Sequence, residues 1–340
     1  MAQFVDQGAE DSLSSNQERY ADETKNHRAP KKTLAILGSI LLIICLFLIS
    51  QLFLIALLPI PLTFLILRRG KMQWVIGLLL LVGTGVILTR PEVNPLFYAL
   101  VILGYLSVVL AELFERGWSS ERIIFGACAA SAILLFFFLG MYCLRVSVDL
   151  DAMLHREMEQ SMAKVIEFYE QGGVEGEQME LLKKSSSQIT ENLIKVFPAI
   201  LIVVLISVVL VNYLLLRRWL QSLEFPVEDR RPFWQLVVPD WLVWLFIVSG
   251  TAWYFLKVPL PSRIGLNFLV VVSYVYLIQG VAIISYFFHK GKIPAFFRYL
   301  GLAIVFFIPG SYIFLTLGGL FDNWIDFRKL RVKSQQQPSA

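Results

Sequence analysis

The sequence predicts an all-α fold: a polytopic bundle of transmembrane helices with eight or nine membrane segments and a helical hairpin outside the membrane. The first observation is composition, since 57% of the 340 residues are hydrophobic and only 16% are charged, against roughly 45–50% and about 25% in soluble domains. The second is the arrangement of the apolar residues, which form long runs without charge. The third is a charged segment in the middle of the chain, whose apolar residues recur with helical spacing.

Residues 1–32 form a polar segment of mixed charge with no apolar period. This composition predicts a disordered N-terminal tail, because it offers too little apolar surface to bury. The tail ends in Lys31 and Lys32, directly before the first apolar run, and no small-residue cleavage site follows that run. We therefore expect the run to remain as a membrane anchor and not to be removed as a signal peptide.

Nine apolar segments follow the tail and define the predicted membrane domain. Their approximate bounds are 33–50, 52–68, 73–89, 95–114, 122–144, 196–216, 241–257, 265–288 and 299–320. A helix needs roughly 20 apolar residues to cross about 30 Å of hydrocarbon, so the second, third and seventh segments are short. Strands are excluded, because an open sheet edge cannot lie in lipid. We assign residues 33–144 to a first transmembrane bundle of about five segments, residues 196–327 to a second of three or four, and residues 328–340 to a basic and polar tail.

Residues 145–195 separate the two bundles and are predicted to form an extramembrane amphipathic helical hairpin. Between residues 145 and 192 the chain holds ten acidic residues and five lysines or arginines. Apolar residues recur at helical spacing on both sides of Gly172 and Gly173, which predicts two amphipathic helices joined by a glycine turn. The pattern fits two interpretations: a hairpin whose apolar faces pack on each other, and a docking surface for a partner.

Basic residues flank alternate apolar segments, which predicts the orientation of the chain. They precede the first segment and recur at Arg68, Arg69, Lys71, Arg217, Arg218, Arg230, Arg231, Lys290, Lys292 and Arg298. The positive-inside rule places these residues and the N-terminus in the cytoplasm, and the acidic hairpin outside. Nine crossings would leave Arg328 and Lys329 outside, so one segment is expected not to cross. Three candidates stay open: the run 241–257, the pair around residues 59–61, and the run interrupted at Pro309.

Motifs for nucleotide or nucleophilic chemistry are missing from the sequence. It contains no GxxxxGK[ST], GxGxxG or GxSxG pattern, and its three histidines fall in three different regions. We therefore predict no catalytic residue, no metal site and no cofactor, and an ATPase is excluded. A net charge of +4 gives no sign of nucleic-acid binding. An intramembrane enzyme is the least supported alternative, because few ionisable side chains fall inside the apolar segments.

Polar side chains inside the apolar segments are the candidate functional residues, because they are expensive in lipid. The candidate polar pocket consists of Glu112, Asn212, Asn267, Tyr274 and Gln279. One interpretation is a pocket between helices for a small ligand. The other is ordinary hydrogen bonding between helices, worth about 0.6 kcal/mol per contact, with Glu112 at the interface beside Arg116.

The last apolar run ends in the most distinctive local sequence, GGLFDNWIDFRK. Its candidate motif residues are Gly319, Asp322, Trp324, Asp326, Phe327 and Arg328. Asp326 can pair with Arg328 or Lys329, and Asp322 can pair with Arg328. We expect an interfacial amphipathic turn with a basic anchor, in which Trp324 and Phe327 lie at the membrane surface.

This ending resembles that of the YybS family of bacterial multi-pass membrane proteins, a domain family of unknown function. The similarity extends over the chain apart from its polar tail, with further matches at residues 59–61, Arg69-Gly70 and Gln279-Gly280. The family is distantly similar to the substrate-binding S components of energy-coupling-factor vitamin transporters and to MreD of the bacterial cell-shape machinery.

The resemblance implies a protein of the bacterial cytoplasmic (inner) membrane. It implies either a transport subunit that binds a vitamin-like small molecule and depends on another chain for energy, or a non-enzymatic scaffold in envelope or cell-shape assembly. The partners expected on this basis are the lipid bilayer, another membrane or energising subunit, and a small-molecule ligand.

Overall fold

The computed structural model describes residues 54–70, 77, 95–146, 150–172, 176–225 and 232–330. The chain divides into two compact units, Met1–Ala56 and Leu57–Ala340, and the helices described below all lie in the second. Several predicted segments lie outside the described residues: the N-terminal tail, the apolar run 33–50, the run 73–89 apart from Gly77, and the chain from residue 331.

Every regular element in the described ranges is helical, which confirms the predicted all-α class. The elements are α1 (Pro59–Arg69), α2 (Pro95–Glu115), α3 (Ser120–Val146), α4 (Leu150–Gln171), α5 (Glu177–Ser222), a 3₁₀ turn (Phe233–Gln235), α6 (Trp241–Phe255), α7 (Pro259–Lys290), α8 (Ala295–Phe307) and α9 (Ser311–Ile325). Within the same ranges no strand occurs.

Within the described ranges, four helices are long and apolar enough to cross a bilayer. The candidate spans are Phe97–Glu115, Ser120–Leu144, Met179–Ser222 and Pro259–Lys290. Each exceeds or approaches the roughly 20 residues that the hydrocarbon requires. The shorter apolar helices include Trp241–Phe255 and Ala295–Val305. The described part of the chain is therefore helical with four candidate membrane spans, while the count of eight or nine segments stays a prediction.

The final apolar run, predicted from residues 299–320, consists of two helices. α8 ends at Phe307 and α9 begins at Ser311. Pro309 lacks the backbone N–H that would continue the hydrogen-bond ladder, and Gly310 takes a left-handed conformation with φ of 81°. These two residues separate two helices of 13 and 15 residues, neither of which reaches the length of an untilted span.

The core of the N-terminal part lies where α1, α2, α3 and α5 pack together. Its buried side chains include Leu106, Leu110, Leu113, Phe114, Ile123, Ala127, Val209, Tyr213, Leu216 and Leu220. The rings of Phe114 and Tyr213 stack with centroids 5.5 Å apart, and the Tyr213 hydroxyl donates to Ser120 Oγ at 2.6 Å. Packing of this kind, with a few interhelical hydrogen bonds, holds helices together in lipid, where the hydrophobic effect between helices is lost.

A second buried cluster joins α6, α7 and α9. It consists of Val238, Val243, Val272, Tyr276 and Leu320. Phe246 of α6 packs edge-on against Tyr276 of α7, with ring centroids 6.1 Å apart. The cluster surrounds the point at which α7 and α9 cross, and this crossing positions the buried polar residues described in the next section.

α4 and the first part of α5 form a helical hairpin. Leu154 of α4 and Met179 and Ile194 of α5 are buried, and Lys183 pairs with Glu170 across the two helices at 2.8 Å. α5 then continues without interruption into apolar sequence for a total of 46 residues. At 1.5 Å per residue it is about 70 Å long, more than twice the roughly 30 Å hydrocarbon thickness. A large part of α5 therefore extends beyond any membrane that it crosses.

Candidate functional site

Two glycines bring α7 and α9 into backbone contact. A Cβ atom added at Gly319 would overlap the carbonyl oxygen of Tyr276, and one added at Gly280 would overlap the carbonyl oxygen of Leu315. Only glycine is compatible with so close an approach. The crossing places residues 276–280 of α7 against residues 315–319 of α9. Polar side chains of the two helices meet beside it.

The amide of Gln279 is the centre of this meeting point. Its Nε2 donates to Asp322 Oδ2 at 3.1 Å and to Asn323 Oδ1 at 3.3 Å, and its Oε1 accepts from the backbone N–H of Val238 at 3.2 Å. Asn323 Nδ2 in turn donates to the Tyr276 hydroxyl at 3.2 Å. Gln279 and Tyr276 are fully buried. One amide therefore connects α7, α9 and the segment before α6.

Arg328 completes the cluster, which we call the terminal network (Tyr276, Gln279, Asp322, Asn323 and Arg328). Its Nε and Nη2 donate to Asp322 Oδ2 at 3.2 and 2.7 Å, and its Nη1 donates to the Trp234 carbonyl at 2.8 Å. The chain reverses at Asp326, which has a left-handed φ of 47°, and this reversal returns Arg328 to the bundle. Both charges are buried, with 0% and 4% side-chain exposure.

The burial of Arg328 corrects two expectations from the sequence. The residue was assigned to the start of a polar tail and to an interfacial basic anchor, but it lies inside the protein. Of the two pairings expected locally, the structure contains the one with Asp322. Asp326 accepts from the backbone N–H of Leu330 through Oδ1. Trp324 and Phe327 are exposed on the surface. A buried charge is tolerated only with a partner, which explains why Arg328 and Asp322 enter together.

A second polar site lies at Pro198, where the backbone hydrogen-bond ladder of the continuous helix α5 is locally broken. Proline has no backbone N–H, so the carbonyl of Ile194, four residues earlier, loses its helical donor. Nη2 of Arg263, on α7, donates to this carbonyl at 3.1 Å. A side chain of a neighbouring helix therefore replaces the missing hydrogen bond.

Asn267 occupies the next step of the same ladder. Its Nδ2 donates to the Lys195 carbonyl at 2.8 Å, and its Oδ1 accepts from the Ala199 N–H at 2.8 Å. In an uninterrupted helix these two backbone groups would bond to each other. The amide of Asn267 is thus inserted between them, one turn of α7 beyond Arg263.

Arg263 also connects the break to the hairpin. Its Nη1 and Nη2 donate to the two carboxylate oxygens of Asp151, in the first turn of α4, at 3.0 and 2.7 Å. These hydrogen bonds hold the pKa of the Asp151 carboxyl below its usual range. We call the set of Asp151, Ile194, Pro198, Arg263 and Asn267 the proline junction. It joins α4, α5 and α7 at the base of the hairpin.

The remaining predicted pocket residues lie in separate contacts. Glu112 of α2 pairs at 2.6 Å with Arg116, in the turn directly after that helix. Asn212 is buried and donates to the Val208 carbonyl at 2.8 Å. Tyr274 lies 2.7 Å from Ser207 Oγ; because that hydroxyl donates to Val203, the tyrosine is the donor. The five candidates therefore do not share one pocket in the described part of the chain.

Sequence reasoning missed Asp151, Arg263 and the carbonyl of Trp234. A signal for the first two was present: Pro198 inside an apolar run, and Arg263 four residues before Asn267, on the same face of a helix. This signal could not be used from the sequence alone, because the sequence does not show which helix packs beside Pro198. Among the described residues, no group of three or more histidine, cysteine, aspartate or glutamate side chains could hold a metal ion.

The long apolar helices, their glycine-mediated crossing and their buried polar contacts define a polytopic helical membrane protein. Residues 35–323 match the model of a protein family described as "Predicted membrane protein (DUF2232)". The chain belongs to this family. The matched region includes Gln279, Asp322 and Asn323 of the terminal network and ends before Arg328. No curated protein and no solved structure matches the chain significantly.

Proposed function

We propose that this protein is a non-enzymatic membrane scaffold whose helical hairpin binds a partner protein outside the hydrocarbon. The observation that supports this proposal is the contrast between the two ends of the hairpin. The base is fixed to the membrane helices through the proline junction, while the far end exposes apolar side chains. A surface held rigidly by a membrane anchor is suited to positioning another protein.

The far end of the hairpin has the composition of a protein-binding surface. Val165, Phe168 and Tyr169 of α4 are 41%, 65% and 45% exposed, and Leu181 of α5 is 57% exposed. Val165 shares a helix face with Phe168 and Tyr169, because residues three and four apart are neighbours on a helix. Exposed apolar groups clustered in this way mark interaction sites, and aromatic side chains dominate binding energy at such interfaces. We call these four residues the hairpin tip.

Charge indicates the chemistry of the partner. Glu167, Glu177 and Glu180 are exposed around the hairpin tip, and residues 145–192 carry ten acidic and five basic side chains, a balance of five negative charges. The complementary surface is apolar with lysine or arginine at its rim. With the orientation inferred from the basic residues, this partner would be a membrane or envelope protein on the outer side of the bacterial cytoplasmic membrane.

The alternative of a vitamin-binding transport subunit has less support. It requires a polar pocket inside the bundle, and the residues proposed for that pocket are distributed over separate contacts, some local along the chain and some between helices. Of the two groups that the YybS resemblance brings with it, the MreD-type scaffold therefore fits the geometry better than the energy-coupling-factor S component.

Site-specific photo-crosslinking in intact cells tests the proposal. A benzoylphenylalanine at position 168 is expected to capture one protein reproducibly. The same probe at Ala163, an exposed residue about 140° around α4 from Phe168, serves as the matched control and should not capture it. The combined substitution Tyr169→Ser and Leu181→Ser should abolish the crosslink without lowering the amount of protein in the membrane. Equal capture from both positions would remove the support for a docking surface.

A further inference from the structure

A cavity of about 430 Å³ opens between α7, α8 and α9. Its lining is apolar and includes Ile283 and Ile284 of α7, Val305 of α8 and Phe314 of α9. The hydroxyl of Ser311 donates to the Val305 carbonyl, so it does not direct a ligand. The volume falls within the roughly 300–1,000 Å³ of ligand pockets, but the lining suits a hydrocarbon chain and not a polar metabolite.

The local backbone explains the cavity. The break at Pro309 and Gly310 separates α8 from α9, while the glycine crossing at Gly280 holds α9 against α7. Gly318 contributes no side chain to the space between, and a Cβ atom added there would meet nothing within 4 Å. The cavity is therefore the gap that remains where a short helix turns away from a tight crossing.

Basic residues lie at the turn between α7 and α8, near one end of this cavity. Lys290 and Lys292 are exposed, and Arg298 is half-buried with no hydrogen-bond partner at Nε among the described residues. Ile284 precedes Lys290 by six residues and Arg298 precedes Val305 by seven, so the cavity begins about 10 Å along each helix from the turn. The sequence from residue 259 to residue 321, which includes α7, α8 and most of α9, contains no aspartate or glutamate, so these three helices carry no acid beside the cavity.

We propose that α7, α8 and α9 bind an anionic phospholipid, with one acyl chain in the cavity and the phosphate at Lys290, Lys292 and Arg298. The spacing between basic turn and cavity matches the arrangement of a lipid, whose charged group lies at the surface and whose chain extends into one leaflet of a roughly 30 Å core. Basic pockets between transmembrane helices are recurrent sites for anionic headgroups. The site is independent of the proposed scaffold function.

Native mass spectrometry of the full chain in detergent tests the site with two lipids of equal chain length. Dioleoylphosphatidylglycerol is expected to form a one-lipid complex at a concentration at least about fivefold below that needed for dioleoylphosphatidylcholine, since each basic group near an anionic headgroup contributes about this factor. Inorganic phosphate is the third probe and should produce neither a complex nor thermal stabilisation.

Two sets of variants test separately how the cavity and the basic residues contribute to lipid binding. Gly318→Leu fills the cavity and should weaken binding of both lipids, while Gly140→Leu, at another helical glycine with open space around it, should leave both unchanged. Lys290→Gln with Lys292→Gln leaves the helix packing intact and should remove most of the preference for phosphatidylglycerol. The matched control is Lys257→Gln, before α7.

Equal binding of the two lipids by the unmodified chain would overturn the proposal. So would the same affinity in Gly318→Leu and Gly140→Leu, provided that both unfold at the temperature of the parent. Should Gly318→Leu fail to fold, the lysine variants decide: an unchanged phosphatidylglycerol preference in them refutes the headgroup contact. Stabilisation by phosphate alone would assign the turn to a free anion and equally refute the lipid.

Discussion

Arg263 forms a two-point ion pair with Asp151, 112 residues earlier in the chain, and the same guanidinium donates to the carbonyl that Pro198 leaves without a partner. The helix break and the attachment of the hairpin are therefore one structure. A proline inside a long helix is tolerated when a neighbouring helix satisfies the freed backbone group. Here Arg263 satisfies that group and also holds α4, the first helix of the hairpin, in place.

Replacement of Arg263 should loosen the hairpin from the membrane helices. Arg263→Gln removes an ion pair that solvent partly screens, since the Asp151 side chain is 44% exposed. It also leaves the carbonyl of the buried Ile194 without its donor, at a cost of about 1–3 kcal/mol. We expect faster hydrogen exchange at residues 150–160, measured on the protein in detergent. The control is Lys183→Gln, which removes a surface pair worth about 0–1 kcal/mol; a similar effect from both changes would contradict the special role of Arg263.

Asn267 and Pro198 should be energetically coupled. Asn267→Ala exposes two backbone groups of the broken helix and is expected to destabilise the parent protein. In a Pro198→Ala background the helix can close its own ladder, so the same change should cost less. A double-mutant cycle in thermal or denaturant unfolding is expected to give a coupling of about 0.5–3 kcal/mol. Additive effects would mean that the amide of Asn267 does not compensate for the break.

The attachment of the hairpin should weaken in acid. The folded-state pKa of Asp151 lies below its unfolded value of about 3.9. Its contribution to stability is therefore fully present above about pH 4 and is lost as the pH falls through the folded-state pKa. Limited proteolysis of the hairpin at neutral pH and at a series of values below about pH 4 should show this loss. The Asp151→Asn variant should be cleaved faster than the parent protein at neutral pH, and the two rates should become equal in acid. A difference in cleavage rate that stays constant over the pH range would exclude Asp151 as the group that titrates.

The buried pair in the terminal network should be among the costliest to break. Asp322→Asn leaves Arg328 as an uncompensated buried charge, and removal of one member of such a pair costs about 3–5 kcal/mol. The combined variant Asp322→Asn with Arg328→Gln should cost less than the sum of the two single changes. Lys329→Gln changes the adjacent exposed cation and should have little effect on the unfolding temperature. A neutral outcome for Asp322→Asn would show that Arg328 escapes to the surface.

Two neighbouring glycines should respond oppositely to the same substitution. Gly319→Ala places a methyl group in the backbone of α7 at Tyr276 and is expected to separate α7 from α9, with a large fall in unfolding temperature. Gly318→Ala places the same group in open space and should be neutral or slightly stabilising, because alanine is about 1 kcal/mol better than glycine in a helix. Measurement of both in one detergent provides its own control, and equal effects would contradict the crossing.

The sequence by itself determined the class of the protein: helical, rich in apolar segments, and interrupted by a charged pair of amphipathic helices. These properties depend on composition and periodicity, which are local and can be read along the chain. The sequence also singled out Asn267 and Gln279, because polar groups inside apolar runs are expensive. Asp322 and Arg328 were singled out as part of the distinctive ending that follows the last apolar run.

Only the tertiary structure decided which of these groups meet. Gln279 joins Asp322 because two glycines allow α7 and α9 to touch, and Asn267 fills a gap that Pro198 makes in α5. The five residues that were expected to share one pocket are used in separate places. Glu112 and Asn212 bind groups four residues away along the chain, while Asn267, Tyr274 and Gln279 bind groups of other elements. Which elements lie beside each other is set by packing between helices distant in sequence.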